Sequence, residues 1–332
     1  MRKILISLAP LLLAFQAYGS LLPIPVPEEK KVRVFVVTDA KNEADDQFAI
    51  VHALLSPKLE VKGIISSQFE NTSLQMGRPA GSMKAGLIEI NHILSLMDMS
   101  EDVAVYRGLD LALESANGIE NEAARAIITE AKKDDPRPLF VISFGPLTDM
   151  ANALLLAPEI GEKVTSVWIG GGDYPKGGWE YNLSNDPVAA NAVFASNVTN
   201  WQIPRAVYTT MRTSLAELTV KVAPYGKIGE YLVQQMHEFN AWASARFPDI
   251  NWPKGESWSL GDNPAVTVLL DEHEYGYREQ SGIQFAKESF EYVQHDELKS
   301  FRVYTFVDPR FTLEDMFSKI QLFDQLDKQS RK

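Results

Sequence analysis

The sequence predicts an α/β fold, an open and mostly parallel sheet with helices on both faces and a helical C-terminal portion. Three observations carry this. Apolar runs of strand length, such as Val32–Thr38 (VRVFVVT) and Val164–Ile169 (VTSVWI), lack the polar alternation of a half-solvated strand and read as buried on both faces. Stretches with apolar residues at helical spacing separate them, as βαβ units require. The 332 residues, 45% hydrophobic and 23% charged, suffice for a large core and contain no internal repeat or low-complexity segment.

In chain order, Arg2 and Lys3 precede an apolar run over 4–15 that ends at Ala17-Tyr18-Gly19. A basic start, a short apolar run and small residues near its end have the form of a secretory signal peptide over residues 1–19. The run is shorter than the ~20 residues of a membrane span. Residues 20–31, with Pro23, Pro25 and Pro27, read as an extended tether. Residues 32–328 then form one domain. The expected location is periplasmic or secreted, from a bacterium, with no membrane attachment after cleavage.

Within the domain, Val32–Thr38 is the first strand, followed by a helix over 45–55. Strand 61–67 leads to helix 83–97, short strand 103–106 to helix 120–132, and strand 139–144 to helix 147–156. Strand 164–169 leads to helix 187–196. Beyond Pro204 the pattern is mainly helical, notably 228–246. Residues 247–261, broken by Pro and Gly, read as a long loop. A late strand over 301–307 and a closing amphipathic helix over 313–326 complete the chain.

Composition excludes several chemistries. Lys and Arg number 32 against 44 Asp and Glu, a net charge of −12, which disfavours the phosphate neutralisation that nucleic-acid binding needs. With no cysteine there is no disulfide, thiolate metal site or thiol nucleophile. The five histidines show no zinc spacing, and no G-x-S-x-G occurs. His52 and His92 fall within helical patterns and read as packing or surface residues.

In open parallel sheets ligands bind beyond the carboxyl ends of the strands. After the first strand comes Asp39-Ala40-Lys41-Asn42-Glu43-Ala44-Asp45-Asp46. One Asp is explained by capping the next helix; three with a glutamate repel one another unless a cation holds them. The second strand ends Ser66-Ser67-Gln68-Phe69-Glu70-Asn71, and the fourth Phe144-Gly145-Pro146-Leu147-Thr148-Asp149. The fifth runs into Gly170-Gly171-Gly172, which lacks dinucleotide-loop spacing. There follows Glu180-Tyr181-Asn182-Leu183-Ser184-Asn185-Asp186-Pro187, where Asp186-Pro187 reads as a helix cap with Pro at the first helical position. Glu180 and Asn182 alternate and can point together at a ligand. Later, Gly261-Asp262-Asn263-Pro264 opens an apolar helix, and Asp262 is either a cap or a cation ligand.

Taken together and in order from about residue 32 to 270, these motifs resemble those of the inosine-uridine nucleoside hydrolase family, in particular a secreted branch of it. The counterparts are the Asp-rich loop ending in Asp-Asp, the T-T-x-x-G-N strand end, the G-P-L-T-N element, the G-G-G…E-F-N…D-P-x-A-A block and the late H-D-P motif. The resemblance implies a bound Ca²⁺ and hydrolysis of an N-ribosidic bond of a small ribosyl substrate by a metal-activated water. It implies Asp39, Asp46, Asp262 and the carbonyl of Phe144 as calcium ligands, and Asp39 as the catalytic base. Asp45, Asn71, Glu180 and Asn182 would hold the ribose hydroxyls. Oxygen donors without sulfur or imidazole suit Ca²⁺ on independent grounds. The resemblance also admits a homo-oligomer.

Three departures stand out. The first loop is two residues longer than the family's D-P-G-x-D-D form, the late His is Gly261, and the loop after Gly172 is shorter. The alternative they raise is a sugar-binding protein that keeps the metal cage without turnover. His237, Tyr231, Trp242 and Trp258 are the remaining candidates for a leaving-group acid, although packing explains each of them. The Asn-x-Ser/Thr sequons at Asn71 and Asn182 fall on proposed sugar contacts, where a glycan would block the site; this favours a bacterial source.

Overall fold

The computed structural model describes residues 21–250, 252 and 255–330. The signal peptide expected over residues 1–19 lies outside them. The strands are β1 (Val32–Thr38), β2 (Leu59–Ser66), β3 (Val105–Arg107), β4 (Leu139–Ser143), β5 (Val164–Ile169), β6 (Thr199–Ile203), β7 (Arg212–Ser214), β8 (Ser257–Ser259), β9 (Tyr277–Gln280), β10 (Ile283–Phe285), β11 (Tyr292–Gln294) and β12 (Phe301–Tyr304). Eight form the central sheet in the order β3-β2-β1-β4-β5-β6-β12-β9. All neighbours in it are parallel except β9, which pairs antiparallel with β12 at the edge. β7 with β8 and β10 with β11 form two small antiparallel ribbons.

The helices are α1 (Asp46–Leu54), α2 (Glu70–Gln75), α3 (Ser82–Leu96), α4 (Glu122–Ala131), α5 (Thr148–Leu156), α6 (Tyr181–Asn185), α7 (Pro187–Phe194), α8 (Arg205–Tyr208), α9 (Leu215–Lys221), α10 (Gly226–Arg246), α11 (Asn263–Leu270) and α12 (Pro309–Ser330). Every residue of β1 is buried, as its mainly apolar run predicts, and the one charged member, Arg33, is paired with Glu130 at 3.0 Å. Alternate residues serve opposite faces. Val34 and Val36 pack with α1, α3, α10, α11 and α12, while Phe35 and Val37 pack with α4, α5 and α7. Among the described residues no helix is long and apolar enough to cross a membrane.

The sheet winds one way from β1 through β2 to β3 and the other way from β4 outward. β1 and β4 are neighbours, so the chain reverses direction between them and leaves a crevice at their carboxyl ends. The loops that follow β1 and β4 open there.

Several local expectations are corrected. The tether is not extended throughout: Leu22 is inserted in the core at 2% exposure and Glu28–Lys30 forms a single 3₁₀ turn. β6 was missed because its buried positions carry Asn200 and Gln202, which break the apolar run. Gln202 is satisfied only in three dimensions, donating to the carbonyl of Gly170 and accepting from Tyr174 Oη. The expected loop 247–261 contains β8, whose partner β7 is separated from it by 42 intervening residues, too far apart for any local signal. The late strand ends at Tyr304, and the closing helix starts earlier, at Pro309, where the Asp308 side chain accepts from the amides of Arg310 and Phe311.

Candidate metal centre and adjoining cavity

After Thr38 the chain leaves β1 through a tight loop: the Asn42 amide donates to the Asp39 carbonyl at 3.0 Å, and Lys41 takes a left-handed conformation with φ 82°. Asp45 is then the N-cap of α1 and Asp46 its first residue. From β4, Gly145 passes flat against Asp39; a Cβ there would lie 2.7 Å from the Asp39 Cγ, so only glycine allows this approach. α11 brings its N-cap, Asp262, to the same place from 216 residues further along the chain than Asp46. Carboxylate oxygens of Asp45, Asp46 and Asp262 all lie within 4.8 Å of one another. Asp39 borders the group, and its charge acts on both Asp46 and Asp262.

Both N-cap acids decline the capping role. Neither Asp45 nor Asp262 accepts a capping hydrogen bond from its own helix. Asp45 accepts instead from the Gly261 amide at 2.9 Å, Asp46 from the Thr38 hydroxyl, and Asp39 from the Asn42 side-chain amide at 2.5 Å. The buried Oδ1 of Asp39 and Oδ2 of Asp46 have no partner. Among the described residues, none of the four carboxylates forms an ion pair. Burial, and then the neighbouring charges, pushes the carboxyls of Asp39 and Asp45 up to about 7 and those of Asp46 and Asp262 well above the ordinary range. Glu130, a buried acid elsewhere, is treated differently: it is held below its ordinary value by Lys133 and by Arg33, whose guanidinium it meets at 3.0 Å. A cluster of hard oxygens with orphaned lone pairs and no internal cation fits a divalent metal ion. The capping explanation is not used here.

The other expected site residues are placed as follows. The Phe144 carbonyl stands at the end of β4 and accepts from Asn182 Nδ2 at 2.5 Å; the same nitrogen donates to the Ile169 carbonyl, and the buried Asn182 Oδ1 has no partner. Glu180, 1% exposed, caps α6. It accepts from the amides of Gly171, Asn182 and Leu183 and from Tyr208 Oη. Asn71 is exposed on α2, donates to the Asn185 carbonyl at 3.2 Å and is not part of the cavity wall. Asp186 caps α7 through the Ala189 amide, with Pro187 following, as its sequence predicts. His52 is a packing residue: it is fully buried between Asp315 and Asn263, and burial lowers its ring to about 4.

A cavity of about 500 Å³ opens beside the cluster, with Asp45, Asn42, Glu43 and Gly261 at its inner end. Trp179, Tyr181, Tyr208, Phe239, Trp252 and Trp258 give it an aromatic wall. Trp258, a packing residue by sequence, is 5% exposed and serves this wall as well as its neighbours Trp252 and Phe239. Tyr231 donates to Glu89, Trp242 carries Arg78 on its ring face, and His237 is exposed, so packing or surface roles account for these three. Sequence reasoning passed over Arg78 and Tyr208, which sit in no motif, and gave no role to Tyr181 between Glu180 and Asn182. The available signal was their aromatic and cationic character alone.

Residues 34–312 match the sequence profile of the inosine-uridine preferring nucleoside hydrolases. The chain belongs to this family. Among curated family relatives, the pyrimidine-specific ribonucleoside hydrolase RihA of Escherichia coli is 29% identical over 178 residues, 49% of this chain and 57% of that protein. The chain thus spans little more than half the length of the curated relatives it matches. Two solved nucleoside hydrolases share the fold. A plant enzyme superposes with a TM-score of 0.69 at 16% identity, covering 87% of this chain and 99% of the other. A purine-preferring ribonucleoside hydrolase from Gardnerella vaginalis gives 0.68 at 22% identity, covering 89% and 99%. The mostly parallel sheet with helices on both faces is therefore the nucleoside hydrolase fold.

Proposed function

We propose that this protein is an exported, calcium-dependent N-glycosyl hydrolase that cleaves the N-ribosidic bond of ribonucleosides or related ribosyl compounds. The observation that carries the reading is the set of buried, unpaired carboxylates at the sheet's switch point, with Asp39 Oδ1 and Asp46 Oδ2 lacking any partner. Membership of a nucleoside hydrolase family supports the reaction class.

Asp39, Asp46, Asp262 and the Phe144 carbonyl would hold the ion. Bound Ca²⁺ would offset the carboxylate charge and lower the pKa of water in the site. Asp39 is suited to be the base, because its Oδ1 is buried without a hydrogen-bond partner and is free to accept a proton from water. It takes one proton from water as the hydroxyl joins the ribosyl C1′. The C1′–N bond breaks with its electron pair going to the departing nitrogen, which takes a proton from solvent water while Asp39 later returns its own to solvent. Positive charge on the sugar ring in the transition state faces the surrounding carboxylates. Asp45, within the cluster, and Asn182, bonded to the Phe144 carbonyl, would orient the sugar hydroxyls, with Asn182 Oδ1 as an available acceptor. Glu180 supports that wall by fixing the start of α6.

The test is reducing-sugar release from a panel of nucleosides and from p-nitrophenyl riboside, with Ca²⁺ and after chelation. Calcium-dependent release that disappears in Asp39→Ala is expected. A second reading, a sugar-binding protein without turnover, is favoured by one observation: residue 261 is a glycine pressed between Tyr208 and Asp45, so no side chain there can protonate a leaving group. Saturable ribose binding with no release from any substrate would select it.

A further inference from the structure

Glu43 lies in the loop that is two residues longer than the family's short form, and it lines the cavity beside Asp45. The other charged side chains of the cavity wall are engaged. Asp45 accepts from the Gly261 amide, Arg78 donates to the carbonyls of Lys41 and Asn42, Arg205 pairs with Asp173, and Arg212 donates to Ser257. Glu43 makes no hydrogen bond or ion pair among the described residues. Burial and the neighbouring Asp45 oppose its charge, and Arg78, fixed over the rings of Trp242 and Phe239 at 4.3 and 5.4 Å, offsets this only in part and without bonding to it. A partly buried carboxyl facing an aromatic cavity has lost water without gaining a partner, a cost that a hydrogen bond from a ligand removes. Residue 261 cannot make that contact, since even a Cβ there would lie 3.0 Å from Tyr208 and 3.3 Å from the Asp45 carboxylate.

We propose that Glu43 is the specificity-determining residue for the leaving group, its carboxylate accepting a hydrogen bond from an N–H of a flat heteroaromatic aglycone laid against the cavity's aromatic wall. This rests on the ribosidase reading, with the sugar at the acidic cluster and the aglycone directed outward into the 500 Å³ cavity. An aglycone without an N–H leaves the carboxyl unpartnered and is discriminated against for that reason.

The experiment compares wild type, Glu43→Ala and Glu43→Gln on N–H-bearing nucleosides and on p-nitrophenyl riboside, whose aglycone has no donor. It also measures binding of the free nucleobases and of Ca²⁺ by calorimetry. Glu43→Ala is expected to lower the ratio of kcat/KM for nucleoside over p-nitrophenyl riboside by on the order of tenfold to a hundredfold. Glu43→Gln, which keeps an acceptor oxygen, should recover part of the ratio, with calcium affinity as in wild type. An unchanged ratio, or an equal loss on both substrates with weakened calcium binding, would overturn the proposal. If wild type cleaves neither substrate, the ribosidase reading fails by itself. Nucleobase binding weaker in Glu43→Ala than in wild type then keeps the assignment, and equal or undetectable binding overturns it.

Discussion

Asp186 and Asp262 occupy nearly the same local setting and do opposite things. Each is the N-cap of an eight-residue helix with a proline in its first two positions, and each is almost completely buried. Asp186 turns its carboxylate to neighbouring donors: the amides of Ala189 and Leu113 and the hydroxyl of Thr148, all at 2.8–2.9 Å. Asp262 caps nothing and faces Asp45 and Asp46. The difference arises from where the two helices begin. α7 starts beside a loop and a helix that offer donors, while α11 starts above the carboxyl ends of β1 and β4, where the nearest side chains are acids. An unpaired buried carboxylate costs stability, so a residue that declines an available cap in acidic company points to a ligand that completes it.

The contrast breaks most visibly in activity. Asp262→Asn should lower calcium affinity and ribosidase kcat/KM by on the order of a hundredfold or more, since ligands that merely support a metal site already matter tenfold or more. The same variant should raise the melting temperature in chelator, because one buried charge among four is removed. A calcium-loaded Asp262→Asn with full activity would undo the comparison. Asp186→Ala should do the reverse. It loses a helix cap and leaves the Leu113 amide and Thr148 hydroxyl without their acceptor, for about 2 kcal/mol in denaturant unfolding. Its calcium affinity should stay as in wild type.

The pH response sharpens the same point. Asp39 and Asp45, raised to about 7, must lose their protons to take a cation, so calcium affinity should fall about tenfold per pH unit for each proton displaced as pH drops below 7. Without calcium the sign reverses. The folded protein binds these protons more tightly than the unfolded chain, whose carboxyls titrate near 3.8, so the contribution of Asp39 and Asp45 to stability is fully present below about pH 4 and is lost as pH rises to about 7. Melting curves in chelator across that range check it. The smallest effect is expected at an ordinary cap: Ser214→Ala removes the acceptor of the Glu217 amide at the start of α9 and should cost about 1 kcal/mol, with no change in calcium binding.

How much of this was legible in the sequence follows from the same pair of residues. The parallel sheet was readable because β1, β4 and β5 are mainly apolar and lack polar alternation. The acidic loop was readable because capping explains one aspartate and not three. Asp186 was assigned correctly as a cap from its Pro187. Asp262 could not be resolved, since cap and ligand share one local pattern and only the approach of α11 to α1 separates them. The ribbon strands β7 and β8 and the buried amides of β6 were hidden because their partners are distant in sequence. Glu180 and Asn182 were expected to point at a ligand side by side. In the fold, Glu180 faces backbone amides while Asn182 bridges the ends of β4 and β5, a division that depends on α6 beginning between them.

The most direct test is a calorimetric calcium titration of the wild-type chain at pH 7, beside Asp262→Asn and Asp186→Asn. The account predicts one ion per chain, with protons released on binding, in wild type and Asp186→Asn, and greatly weakened binding in Asp262→Asn. No binding by wild type, or equal binding by all three proteins, would contradict the assignment of the buried carboxylates as a cation site.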